Sequence, residues 1–235
     1  MALPKLKTPE YKLKVPSTQE EIKYRPFLVK EQKILMIAQE SGEESQIADA
    51  MGTLVSNCSF GAIDINKSPM FDIEYVFLQL RAKSAGGKVK LNITCPDDEE
   101  TKVEVEINLE EIAVQHSVEH SQEITITEDI KLKLRYPMLR DIQNISSDVG
   151  EFEKALLMVH GCIESVIYGE ETIYRIDMTN DEISEFIDSF NTEQMENILK
   201  FFETMPKVRH IIDVVNPKTK KKGEVLLEGL ASFLR

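Results

Sequence analysis

The chain has 235 residues, 42% of them apolar and 29% charged, and carries a net charge of −13. Those proportions exclude a disordered chain and suit a globular protein of one large domain or two small ones. Three widely spaced cysteines, Cys58, Cys95 and Cys162, imply no disulfide framework and suit a reducing compartment, and no apolar run reaches membrane-spanning length.

Residues 1–27 read as an extended basic arm. Pro4, Pro9 and Pro16 exclude a helix there, and Lys12-Leu13-Lys14-Val15 alternates like an edge strand. No apolar core of a secretion signal follows Met1. Residues 1–33 hold eight Lys/Arg against four Asp/Glu, so the remainder carries −17. An acidic body disfavours nonspecific binding to nucleic-acid phosphates and suits protein–protein assembly, and solubility alone would account for the acidity equally well.

The arm turns into the first helix at Tyr24-Arg25-Pro26-Phe27. Pro26 disfavours the α region at Arg25, and no Gly or Pro follows Leu28 until Gly42. Ile34, Leu35, Ile37 and Ala38 fall on a helical stripe, with Lys30, Glu31 and Lys33 polar. An exposed Arg25 between Tyr24 and Pro26-Phe27 reads as a docking element or, equally, as part of a hydrophobic staple that fixes how the helix starts. On the docking reading, Arg25→Ala weakens partner capture and leaves the isolated protein folded.

A second helix places Ile47, Met51, Leu54, Val55 and Cys58 at spacings of three and four. A third begins with Ser68 as N-cap and Pro69 at the first helical position, and stops at Gly86-Gly87. Met70, Phe71, Ile73, Tyr75, Val76, Phe77, Leu78 and Leu80 leave it little polar face, so it is expected at the centre of a helical layer. Its exposed members Asp72, Glu74, Arg81 and Lys83 form a second candidate contact surface, after Tyr24, Arg25, Pro26 and Phe27.

From Lys88 the apolar period changes from 3.6 to 2. Alternation over 88–95, 103–109, 124–126 and 130–135 predicts an antiparallel sheet with one wet face, inserted over about residues 88–136. Residues 138–168 return to helical spacing, with Phe152, Leu156, Val159 and Ile163 on one face. After a short extended link at 173–176, Thr179 to Glu182 is a capping box, and Asn191 or Thr192 caps the next helix. Residues 208–215 and 224–227 read as a hairpin with a lysine-rich turn, and Leu227, Leu230, Ala231 and Leu234 as an amphipathic tail. No internal repeat is apparent. The fold class is α+β: a mainly helical body of residues 28–87 and 137–235, with an inserted β subdomain at 88–136 and a C-terminal hairpin.

Catalytic and metal motifs are scarce. His116-Ser117-Val118-Glu119-His120 matches the HxxEH pattern, which needs a helix to turn both histidines to one metal. Its flanks are β-like and no third ligand follows, so a polar inter-strand loop fits better than a zinc hydrolase. Cys95-Pro96 has no CxxC partner, and the chain has no Walker A loop, GxGxxG turn or GxSxG elbow. The acidic run 97–100 and the lysines of 218–222 read as solvated turns. The expectation is a non-enzyme without metal or cofactor, binding neither nucleic acid nor membrane.

Four stretches in order carry a resemblance. They are Tyr24 to Leu35, Phe71 to Ser84 (FDIEYVFLQLRAKS), Leu134-Arg135-Tyr136-Pro137 and Thr204-Met205-Pro206-Lys207. Together they resemble the baseplate hub subunits and hub assembly catalysts of T4-like tailed bacteriophages. The resemblance implies a structural or assembly role without enzyme activity. It implies other hub proteins as partners, and residence in the host cytoplasm during assembly or in the virion baseplate. A chaperone of the tail tape-measure protein, absent from the mature particle, is the alternative it leaves open.

Overall fold

The computed structural model describes residues 6–143, 145 and 148–233. Pro4 and Leu234, expected in the arm and the tail, lie outside the described residues. Within them the chain divides into two units, residues 1–115 with 207–235, and residues 116–206.

The first unit opens on a hairpin rather than an open arm. β1 (Tyr11–Lys14) pairs antiparallel with β2 (Glu21–Tyr24), Leu13 opposite Ile22. Pro16 presets the turn, and Gln19 in the left-handed region lets its N–H reach back to the Val15 carbonyl at 2.8 Å. Three helices follow: α1 (Val29–Ser41), α2 (Glu44–Cys58) and α3 (Met70–Ala85). Gly42, at φ +70°, takes the left-handed conformation that ends α1. Pro69 is the N-cap of α3 rather than its first residue, so the helix begins one position later than Ser68 suggests. As its composition implies, α3 buries Phe71, Ile73, Val76, Phe77, Leu78, Leu80 and Ala82.

β3 (Lys88–Thr94) and β4 (Lys102–Asn108) pair antiparallel, then a 3-10 turn at Leu109–Glu111 leads to β5 (Ala113–Gln115). In the second unit β6 (Glu123–Thr125), β7 (Ile130–Leu134), β8 (Ile163–Tyr168) and β9 (Glu171–Tyr174) form one antiparallel sheet in that order. Between its strands lie α4 (Leu139–Gln143) and α5 (Glu151–Cys162); after them come α6 (Asn180–Asp188) and α7 (Thr192–Thr204). Both α6 and α7 start with full capping boxes, Thr179 with Glu182 and Asn191 with Gln194. Their apolar faces, through Ile183, Ile187, Ile198 and Phe201, close over Ile124, Leu132, Leu134, Val159 and Ile163. The chain then returns to the first unit as β10 (Lys207–Val215) and β11 (Lys222–Glu228), with β5 on the other edge of β10, and a 3-10 turn at Leu230–Phe233.

The α+β class therefore holds, but the strands of 88–136 do not make one inserted sheet. They are divided among β3–β4, the β5–β10–β11 sheet and the sheet of the second unit. Alternation marks each strand's wet and dry faces but says nothing of which strand it pairs with. Helical spacing also runs too far: α5 stops at Cys162 and Ile163 begins a strand, while Phe152 is exposed. The β-branched residues Ile163, Val166 and Ile167 favour the pleated conformation once β7 offers an edge.

The order of elements also recurs, which the sequence pattern concealed. A hairpin, an arginine, two helices ending in a cysteine, a further helix, a hairpin and a 3-10 turn occur in both halves. The second copy adds β8, β9 and α6 before its last helix. Two hairpin turns, Cys95-Pro96 and Asn216-Pro217, share the plan of Val15-Pro16. Each has proline second, a left-handed residue (Glu99, Lys220) fifth, and that residue's N–H bonded to the first carbonyl.

Candidate protein-interaction site

Arg25 is not exposed; it is built into a clasp. Its backbone N–H donates to the Cys58 carbonyl at the end of α2 (3.0 Å). Nη1 donates to the Pro26 carbonyl (3.0 Å) and Nη2 to Glu31 Oε1 (2.9 Å). Glu31, 1% exposed, also accepts from the Leu28 N–H (2.8 Å), capping α1 from its third position. Burial by itself would raise the Glu31 carboxyl, but these donors outweigh it and hold the group below its usual range. The bond to Glu31 likewise raises Arg25. Tyr24 is buried against Tyr11, ring centres 5.7 Å apart, and the Phe27 N–H donates to Ser84 Oγ on α3 (2.9 Å).

The same clasp stands in the second unit. Arg135 N–H donates to the Cys162 carbonyl (2.8 Å), Nη1 to the Tyr136 carbonyl (3.1 Å), and the guanidinium grips Asp141 with two bonds of 2.6 and 2.8 Å. Asp141 accepts from Met138 N–H (2.8 Å), as Glu31 does from Leu28. Both arginines sit six residues before their carboxylate, with a proline between. That spacing, R-x5-[DE], was the legible signal.

Of the α3 candidates, Asp72 is buried and receives both the N–H (3.0 Å) and the hydroxyl of Ser17. Arg81 donates to the Phe233 carbonyl (2.8 Å), and burial lowers its pKa. Lys83 pairs with Glu110 (2.8 Å) and lies over the Tyr11 ring; Glu74 is half-buried. Asp72, Arg81 and Lys83 tie the first hairpin, the Leu109–Glu111 turn and the C-terminal segment to α3.

What faces solvent instead is the outer side of α1. Its inward side uses Glu31, Leu35 and Ala38 only, so the expected stripe is split. Val29, Met36 and Ile37 are 68%, 51% and 66% exposed, an apolar strip on an otherwise charged helix.

The acidic and basic turns meet each other. Asn216 Nδ2 donates to Asp97 Oδ1 (2.8 Å) and Asp98 Oδ2 (2.9 Å), and the Thr219 hydroxyl donates to Asp97. Hydrogen bonds from the Thr101 side chain and backbone, and from Asn216, hold the Asp98 carboxyl far below its usual range. The lysines of 218–222 thus crown a turn whose neighbouring hairpin is acidic.

His116 to His120 forms a turn, not the helix an HxxEH site requires. The Thr204 hydroxyl donates to the Lys200 carbonyl, so His120 Nδ1 carries the proton given to Thr204 Oγ1 (3.0 Å). Its ring packs on Tyr136 and Phe201, and burial lowers its pKa, leaving Nε2 buried without a partner. Among the described residues no group of three His, Cys, Asp or Glu could hold a metal, and no helix is long and apolar enough to cross a membrane.

A family described as "T4 bacteriophage base plate protein" matches residues 8–235. The chain is 26% identical over 228 residues to the baseplate hub assembly protein gp26 of Enterobacteria phage T4, covering 95% of this chain and 97% of that protein. No solved structure matches.

Proposed function

This chain belongs to the T4 bacteriophage base plate protein family, and on that premise we propose that it assists assembly of the baseplate hub through non-covalent protein contacts. The observation that carries the reading is a full-length match to a protein whose name is baseplate hub assembly protein. The arrangement of charged side chains agrees with it. The buried and half-buried ion pairs, Arg25–Glu31 and Arg135–Asp141, fix chain segments to one another. The partners are other hub proteins, and the protein acts in the host during assembly.

Tyr24, Arg25, Pro26, Phe27, Asp72, Glu74, Arg81 and Lys83 take a supporting part in this reading. Tyr24 and Asp72 are buried, so a partner would have to open the fold to reach them. Tyr24, Arg25, Phe27, Asp72, Arg81 and Lys83 hold α1 and α3 in position, and direct contact passes to the exposed side of α1.

Quantitative mass spectrometry of purified virions beside the infected-cell lysate tests the role. Abundance in the lysate with absence from virions is the expected outcome for an assembly factor. A fixed small copy number per particle would instead make it a resident hub subunit. Stoichiometric recovery with the tape-measure protein before tube growth would replace the hub reading with that of a tape-measure chaperone.

A further inference from the structure

We propose that the outer face of α1 is a self-association surface, and that two copies of this chain pair through antiparallel α1 helices. The helix is about 20 Å long at 1.5 Å per residue. Its solvent side, opposite Glu31, Leu35 and Ala38, carries Val29, Met36 and Ile37 interleaved with Lys33 and Glu40. Exposed apolar side chains in a row on one helix call for a covering partner.

The charges say which partner. Lys30 and Lys33 lie towards the N-terminus of α1 and Glu40 towards its C-terminus, with no basic residue in the last turn. That is the wrong way round for the helix's own dipole, which favours acids first and bases last. The pattern becomes favourable beside an antiparallel copy. Lys33 and Glu40, both on α1, are equally far from the midpoint between Met36 and Ile37. A twofold axis through that midpoint sets Lys33 against Glu40 of the other copy, while Met36 and Ile37 interlock at the centre. The self-complementarity is the requirement of an isologous contact. Lys33 and Glu40 have no ion pair among the described residues.

One helix face per copy is a small interface, so the dimer should be a micromolar one. Sedimentation equilibrium of the full chain up to roughly 100 µM tests it, with circular dichroism confirming that each variant is folded. Wild type is expected to dimerise and Ile37→Glu to be monomeric. Lys33→Glu and Glu40→Lys should each weaken dimerisation by about tenfold or more, because each places like charges opposite at both symmetry-related sites. An equimolar mixture of the two single variants restores the dimer, since every pair is again of opposite sign. A monomeric wild type overturns the proposal. So does a dimer indifferent to these substitutions, or a mixture that stays as weak as its components.

Discussion

The guanidinium of Arg25 lies 2.9 Å from the Glu31 carboxylate, and both groups are largely withdrawn from water. An ion pair in that setting is costly to break from one side, because the remaining charge is left buried without its counterpart. Arg25→Ala should therefore destabilise the protein by about 3–5 kcal/mol in urea unfolding. This reverses the expectation drawn from sequence, where an exposed Arg25 could be lost without harm to the fold. Replacing both partners with apolar residues of similar volume should cost far less than either single change. Lys88 and Glu106, paired across the wet face of the β3–β4 hairpin, supply the contrast: Lys88→Ala should leave the urea midpoint nearly unchanged.

The same pair sets an acid limit. Glu31 is held below the usual 4.5 in the folded protein, so the unfolded chain takes up that proton first as pH falls. Its contribution is complete above about pH 4.5 and is lost as pH drops through the folded value. Urea midpoints measured from pH 7 to pH 3 should fall less steeply for Glu31→Gln than for wild type.

An alkaline limit comes from the cysteines that end α2 and α5. Burial pushes the Cys58 thiol from 9.0 up to about 11 and the Cys162 thiol up to about 12. A raised folded pKa gives stability that is present below pH 9 and lost as pH climbs towards those values. Both thiols should also resist a maleimide at pH 8 in native protein and react at once in denaturant, since the thiolate is the reactive form.

Gly223 on β11 faces Pro96 in the turn of the neighbouring hairpin. A Cβ there would come within 2.7 Å of Pro96 Cγ, and a proline ring cannot swing aside. Gly223→Ala should cost about 1–3 kcal/mol by overpacking. Pro96→Ala in the same chain should recover part of that loss.

Zinc should not shift thermal unfolding. The histidines of 116–120 lie on a turn, and Nδ1 of His120 is engaged with Thr204. A rise in unfolding temperature with zinc that His120→Phe abolishes would show that the segment rearranges to bind metal.

Much of the fold was legible from local pattern. The near-uniform apolar surface of α3 meant burial, the capping box at Thr179 marked a real helix start, and of the two caps open for the next helix, Asn191 and Thr192, the structure uses Asn191. What pattern could not supply was pairing at a distance. Alternation at 103–109 and 124–126 looks alike, yet the two segments join different sheets. Arg25 misled for a related reason: a charged residue beside a turn is normally solvated, and its partner lay six residues on within a helix stripe taken as polar. The duplicated clasp escaped notice because the proline moves from the position after Arg25 to the second after Arg135. Hydrogen-bond roles and the R-x5-[DE] spacing survive such a shift; a motif that fixes the proline does not.

The most direct test of the assembly role is deletion of this gene from its phage, followed by extract complementation. Infected cells should then contain filled heads but no complete baseplates, and adding the purified protein to the extract should restore tails. Baseplates and infective tails formed normally without the protein would contradict the account.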